Sequence, residues 1–159
     1  MRHILTILVD NKPGVLARIS GLFTARGFNI ESLCVAPTEN SSLSKITLVT
    51  SGEDWVIDQI VKRFENMINV IKVTDFTDTN SIQRELVIAK VTSNKSKQSA
   101  VSKTASYYKS NILEVGEKSL TLEFSGSKEQ VDEFLEKLKP LGLKEVTRTG
   151  LISLPREKK

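Results

Sequence analysis

Apolar and polar positions alternate from Arg2 to Asp10 with the period of a half-buried strand, and then the rhythm changes. Val15, Leu16, Ile19, Leu22 and Phe23 recur at helical spacing, and Gly27 marks the end of that helix. Residues 28–37 and 43–51 are rich in β-formers and flank the polar loop 38–42, which predicts a hairpin. Trp55, Val56, Ile60, Val61 and Phe64 form a second helical stripe, and residues 70–76 supply a fourth strand. The predicted order is βαββαβ.

After the polar run 77–81 the order begins again. Residues 84–92 read as a strand, 96–109 as a helix, and 112–115 with 120–124 as a hairpin around 116–119. A second helix covers 127–138, with Ser127 and Gln130 spaced for a capping box and Val131, Phe134, Leu135 and Leu138 on its buried side. Residues 140–142 are expected to end it, and 144–154 to close the unit as a strand. The chain therefore reads as α+β: two tandem ferredoxin-like units, 1–76 and 84–159, joined by a linker at 77–83. That plan hosts sensors, RNA readers and small enzymes, so the fold assigns no function.

Composition narrows the choice. The chain has 159 residues, enough for two small domains with thin cores, for which association with a second copy would add apolar burial. The single cysteine, Cys34, excludes an internal disulfide, and the single histidine, His3, excludes a histidine-rich metal site; both read as structural residues. No apolar run reaches the length of a membrane span and no signal peptide precedes the first strand, so a cytoplasmic protein is expected. Lys90, Lys95, Lys97, Lys103 and Lys109 fall in a stretch without acids. Aromatics are not interleaved with them before Tyr107 and Tyr108, which favours a solvated face over a nucleic-acid surface. No paired acid and base, activated nucleophile or metal cluster is legible, so no catalytic residue is assigned.

The candidate chemistry lies at Asp10-Asn11-Lys12-Pro13-Gly14-Val15-Leu16, where a strand turns into a helix. Pro13 suits a first helical turn, and Gly14 has no side chain to shield the early amides. The N–H groups near Gly14, Val15 and Leu16 can meet a carboxylate, while the side-chain amides of Asn11 and Asn29 can serve a zwitterion without adding charge. A sensor of a small amino acid is the reading. The plainer alternative makes Asn11 a helix cap and Asn29 an edge residue after the Gly27 stop.

The segments 10–23, Arg26-Gly27-Phe28-Asn29-Ile30-Glu31-Ser32-Leu33 and Val35-Ala36-Pro37-Thr38 resemble the amino-acid-binding ACT domain, and most closely the family of small regulatory subunits of acetolactate synthase. Arg84-Glu85-Leu86 and Arg148-Thr149-Gly150 look like the same family, so the resemblance spans nearly the whole chain. It implies that two ACT units pair as a homodimer and bind valine at their interface, the elbow of one chain facing the start of the second strand of its neighbour. Asn11 and Asn29 would then grip the polar groups, the amides of Gly14, Val15 and Leu16 the carboxylate, and Ile30 would line the side-chain pocket.

The resemblance further implies a non-catalytic subunit that activates a catalytic large subunit and confers feedback inhibition in branched-chain amino-acid synthesis. Thiamine diphosphate, magnesium and FAD would be carried by that large subunit and no cofactor by this chain. The alternative is an ACT-type sensor that regulates a different enzyme. An RNA reader would need exposed aromatics on the central strands, and a small hydrolase a phosphate loop with an arginine, whereas Arg18 falls inside the first helix.

Overall fold

The computed structural model describes residues 1–77, 81–92, 94 and 96–157. The chain divides into two compact units, one built from Met1–Ile82 with Leu151–Lys159 and the other from Gln83–Gly150.

In the first unit, β1 (Arg2–Asp10), α1 (Val15–Thr24), β2 (Ile30–Pro37), β3 (Leu43–Ser51), α2 (Asp54–Glu65) and β4 (Val70–Asp75) follow the βαββαβ order. The sheet is antiparallel with strand order β2-β3-β1-β4, which leaves β2 at one edge. Alternation places Leu5, Ile7 and Val9 of β1 and Ile46 and Leu48 of β3 against one stripe from each helix: Val15, Ile19 and Phe23 of α1, and Ile57, Ile60 and Phe64 of α2. The Phe23 and Phe64 rings meet at 5.7 Å.

Trp55, expected in the buried stripe of α2, is 61% exposed. Each helical residue turns roughly 100°, so Trp55 lies nearly opposite Ile57, and Ile57 takes the core position instead. The expected strand 28–37 begins only at Ile30, because Gly27 turns at φ 71 and the Phe28 N–H returns to Phe23 O at 3.0 Å.

The second unit repeats the plan with β5 (Ser81–Thr92), α3 (Gln98–Tyr108), β6 (Asn111–Val115), β7 (Ser119–Gly126), α4 (Lys128–Gly142) and β8 (Leu143–Arg148). Its strand order, β6-β7-β5-β8, is the same permutation as in the first sheet. Val87, Ala89, Val91, Leu120, Leu122 and Phe124 pack against Val101, Ala105, Val131, Phe134, Leu135 and Leu138. The capping box forms: Ser127 N–H donates to Gln130 Oε1 at 2.9 Å, and Gln130 N–H to Ser127 Oγ at 3.3 Å. Pro140 does not stop α4, which runs to Gly142 at φ 101. In the last turn a missing N–H removes only one intrahelical bond, and Lys97 Nζ donates to the Pro140 carbonyl at 3.1 Å.

The largest departure concerns the C-terminus. The strand expected over 144–154 is broken into β8 and β9 (Ile152–Pro155) at Gly150, whose φ is 80. Leu151 leaves the second unit and packs with Ile4, Val49 and Phe76 on the sheet face away from the helices, and its N–H donates to Ser32 Oγ at 3.0 Å. By compactness Leu151 and the described residues after it group with Met1–Ile82. Of the linker expected at 77–83, residues 78–80 lie outside the described residues, and 81–83 already form part of β5.

Candidate amino-acid site

The elbow after β1 is held from below by Asn69. Asp10 N–H donates to Asn69 O and Asn69 Nδ2 to Asp10 Oδ2, both at 2.9 Å, and Lys12 Nζ reaches the same carboxylate at 3.1 Å. The Asn69 hydrogen bond, then Lys12, hold the Asp10 carboxyl below its usual range. Arg18, one turn into α1, donates to Asn69 Oδ1 at 3.2 Å. Neither Asn69 nor Arg18 was picked out from sequence, because contacts across 59 and 51 residues leave no local signal.

Asn11 does not cap the helix. Its N–H donates to Ser42 O at 2.8 Å and its side-chain Nδ2 to Ser41 O at 2.9 Å, which ties the elbow to the β2–β3 loop. The N-cap of α1 is Gly14, in the left-handed region at φ 81, with no side-chain cap and no acidic residue in the first turn. A side chain at Gly14 would project into open space. The helix therefore opens without a side-chain cap: the Val15 N–H turns back to Lys12 O at 3.4 Å, and the positive end of the dipole carries no acidic side chain in the first turn. Val15 is buried, while Gly14 and Leu16 face solvent.

Asn29 lies just ahead of β2, exposed, its carbonyl accepting Thr50 Oγ1 at 2.7 Å, and Ile30 is half-buried against the helix-side core. The elbow and Asn29 are not neighbours. Asp10 faces Leu43 and Ile30 faces Thr50 on the same strand β3, seven residues apart, which is roughly 23 Å. The two groups of candidate residues thus lie at opposite ends of one sheet, too far apart for one small ligand to touch both within a chain.

The turn before α3 in the second unit carries an asparagine of its own. There Asn94 Oδ1 accepts from Lys97 N–H at 2.9 Å and from Ser96 Oγ at 3.0 Å, and Lys97 stands at the N-cap. Like α1, α3 has no side-chain cap on its first-turn amides.

The remaining candidates have local partners. His3 is buried, with Nε2 3.3 Å from Asp54 Oδ1, and Cys34 is a free, half-buried thiol on β2. Among the described residues no three His, Cys, Asp or Glu side chains converge as metal ligands, and no helix is long and apolar enough to cross a membrane. Lys90 pairs with Glu145 at 3.6 Å, Lys97 with the Pro140 carbonyl, and Tyr108 sits in an aromatic cluster rather than on a stacking platform; Lys95 lies outside the described residues.

Comparison with known proteins finds two successive matches along the chain. Residues 5–72 match the family model described as "AHAS small subunit-like ACT domain", and residues 84–157 the one described as "Small subunit of acetolactate synthase". The chain is 41% identical over 154 residues to the acetolactate synthase small subunit of Mycobacterium bovis, covering 97% of this chain and 92% of that one. It is 39% identical over 160 residues to that of Haemophilus influenzae, covering 100% and 98%. The crystal structure of the acetolactate synthase small subunit from Thermotoga maritima superposes with a TM-score of 0.90 at 30% identity, covering 100% of this chain and 99% of that chain.

Proposed function

This chain belongs to the family of acetolactate synthase small subunits, and we propose that it binds valine between two copies of its ACT domain and thereby turns the catalytic large subunit down, while raising that subunit's activity when valine is absent. The observation that carries the reading is the elbow at Gly14: left-handed, without a side-chain cap and with no acid in the first helical turn, at the end of the sheet opposite Asn29.

Edge pairing supplies the missing proximity. β2 is an edge strand with Val35, Ala36 and Pro37 exposed. Two copies of β2 joined across a two-fold axis run antiparallel, so the Ile30 end of one strand meets the Pro37 end of the other. Pro37 faces Ser44 and Asp10 faces Leu43, so that end of the partner's sheet is also where its elbow lies. The dimer then has two equivalent sites, each with Asn11 and the amides of Gly14, Val15 and Leu16 from one copy and Asn29 and Ile30 from the other.

Energies fit a metabolite sensor. A carboxylate at a partly buried helix N-terminus gains up to ~2 kcal/mol, and burial of an isopropyl group about 1.5–3 kcal/mol. After ordering costs, a dissociation constant in the micromolar-to-millimolar range follows. Inhibition requires valine to favour the low-activity arrangement by a coupling of about 1–3 kcal/mol, and a ligand held by both copies couples naturally to how they sit against each other. On this reading the reaction, with its thiamine diphosphate, magnesium and FAD, belongs to the large subunit.

The test is calorimetric titration with valine of the native chain, Asn11→Ala and Gly14→Asp, followed by activity of the reconstituted enzyme. Gly14→Asp places a charge and a strained side chain where the carboxylate would sit. The expected result is saturable binding lost in both variants, with activation of the large subunit kept and feedback lost. A Gly14→Asp subunit that still confers full valine inhibition would refute the assignment.

A further inference from the structure

Between α2 and β4 the chain makes a tight turn, Met67-Ile68-Asn69-Val70, closed by the Val70 N–H donating to Met67 O at 3.0 Å. The turn is fixed on both sides. Met67 packs against the core of the first unit and donates its N–H to Phe64 O at 2.9 Å. Asn69 makes the hydrogen bonds that support the elbow: its carbonyl and Nδ2 reach Asp10, and its Oδ1 accepts from Arg18. Between these two anchored residues stands Ile68, which is 98% exposed.

Folding gives no reason for an isoleucine there. The corner of a tight turn favours Pro, Gly, Asn, Asp or Ser, which preset the backbone or bond to it, and a β-branched apolar side chain does neither. A lone exposed isoleucine is ordinary on a protein surface. This one stands on a turn held in place by its neighbours, and a second exposed isoleucine, Ile71, follows three residues later, left out of the pairing where the register of β4 on β1 shifts. The chain around the two is basic: residues 62–72 contain Lys62, Arg63 and Lys72, all exposed, against one acid, Glu65, and Arg18 is held against Asn69.

The strand order limits what can cover this point. In β2-β3-β1-β4 the last strand is the edge opposite β2, so pairing of two copies through β2 leaves the turn on the outer flank. Addition of a strand from a further copy is opposed, because the shift in register and the exposed Lys72 are both features that guard a sheet edge. An apolar side chain on a rigid turn fits a pocket instead, with charged residues left at the rim. On the reading given above, the protein that must respond to the elbow is the catalytic large subunit, and Ile68 is one residue away from the elbow's support at Asn69.

We propose that Ile68, with Ile71 after it, is the anchor by which this chain docks on the catalytic large subunit, seated in an apolar pocket of that subunit with an acidic rim. The inference rests on the reading of this chain as a regulatory subunit and adds to it the surface of contact. The turn is already ordered before docking, so little conformational freedom is lost when the side chain is seated. The bases of residues 62–72 favour encounter with an acidic rim and make it sensitive to salt. Adjacent residues of one turn then serve two partners: Asn69 holds the elbow and Ile68 the large subunit, so a ligand that shifts the elbow acts on the anchor through a single peptide unit.

The experiment measures association of the full chain with the purified large subunit by biolayer interferometry, for the native protein and for Ile68→Ser, Ile68→Asp and Ile68→Leu. Urea midpoints and calorimetric titration with valine are taken on each chain alone. Ile68→Ser is expected to weaken association roughly tenfold or more and Ile68→Asp further, while Ile68→Leu stays within about threefold of native and added salt weakens the native complex. Urea midpoints and valine binding are expected to match the native chain in all three, because Ile68 is exposed and lies outside the elbow. Association of Ile68→Ser equal to native, an affinity that rises with salt, a lowered urea midpoint in Ile68→Ser, or no complex with the native chain would each overturn the inference. A native chain that docks through Ile68 but titrates no valine would overturn the sensor reading and leave the anchor standing. Valine binding lost only in Gly14→Asp, with docking indifferent to Ile68→Ser, would do the reverse.

Discussion

Arg148 grips Glu85 with two parallel hydrogen bonds, Nε to Oε1 at 2.7 Å and Nη2 to Oε2 at 2.8 Å, and places its third nitrogen, Nη1, 2.9 Å from Asp132. Glu85 is 5% exposed, so its charge is acceptable only because the guanidinium matches it in shape and sign. Thr149 continues the clasp, with Leu86 N–H donating to its hydroxyl at 3.1 Å. The start of β5 is thus fastened to the end of β8 by side chains 63 residues apart.

Replacing Arg148 with methionine keeps most of the packing volume and leaves Glu85 buried and unpaired. The expected cost is about 2–4 kcal/mol, a little under the range for fully buried pairs because Arg148 is one-third exposed. Arg148→Lys is expected to recover less than half, since an ammonium cannot make the parallel pair of bonds. Urea midpoints of the three proteins decide it; equal midpoints would show that the clasp adds nothing.

Asp132 gives the acid limb of stability its shape. Burial alone would raise its pKa, but hydrogen bonds from Lys128 and Arg148 outweigh that and hold it below the ordinary 3.8. A group depressed on folding contributes stability that is complete above its unfolded value and vanishes as pH falls through the folded one. Stability is therefore expected to fall as pH drops below about 4, with a shallower fall in Asp132→Asn, measured as urea midpoints from pH 6 down to pH 2.5.

Gly14→Ala separates conformational strain from charge. Open space surrounds the position, so no clash is introduced, yet φ 81 is a region that L-residues occupy at a cost of about 1–2 kcal/mol. Thermal melts should fall accordingly, and valine affinity should weaken less than in Gly14→Asp. A Gly14→Ala protein as stable as the native one would mean that the elbow relaxes out of the left-handed conformation.

Leu151 is 2% exposed among Ile4, Val49 and Phe76, and Leu151→Ala is expected to cost about 2–4 kcal/mol. The spectroscopic labels are conveniently divided. The single tryptophan, Trp55, lies in the first unit, and both tyrosines, Tyr107 and Tyr108, in the second. The loss should appear in the tryptophan fluorescence transition, although residue 151 follows the whole second unit in sequence. An unshifted tryptophan transition beside a shifted tyrosine one would place Leu151 in the wrong unit.

Periodicity was enough for the two βαββαβ units, because alternation in the strands and the three-to-four-residue stripes of the helices are local properties of the chain. Gly27, Ser127 with Gln130, and the elbow at Pro13-Gly14 were legible for the same reason: caps and stops act within a few residues. Trp55 shows the limit of that reading, since a stripe can be drawn through several residues and only packing chooses Ile57.

What only the tertiary structure decided involves distance along the chain. The tail from Leu151 left its expected unit because a hydrophobic contact with Ile4, Val49 and Phe76 has no sequence period. Asn69 and Arg18 entered the elbow, and Arg148 found Glu85, in the same way. Even the separation of Asn11 from Asn29 is a matter of strand register: hydrophobic pattern tells which residues face inward, whereas hydrogen-bonded pairing tells which ends of the sheet they occupy.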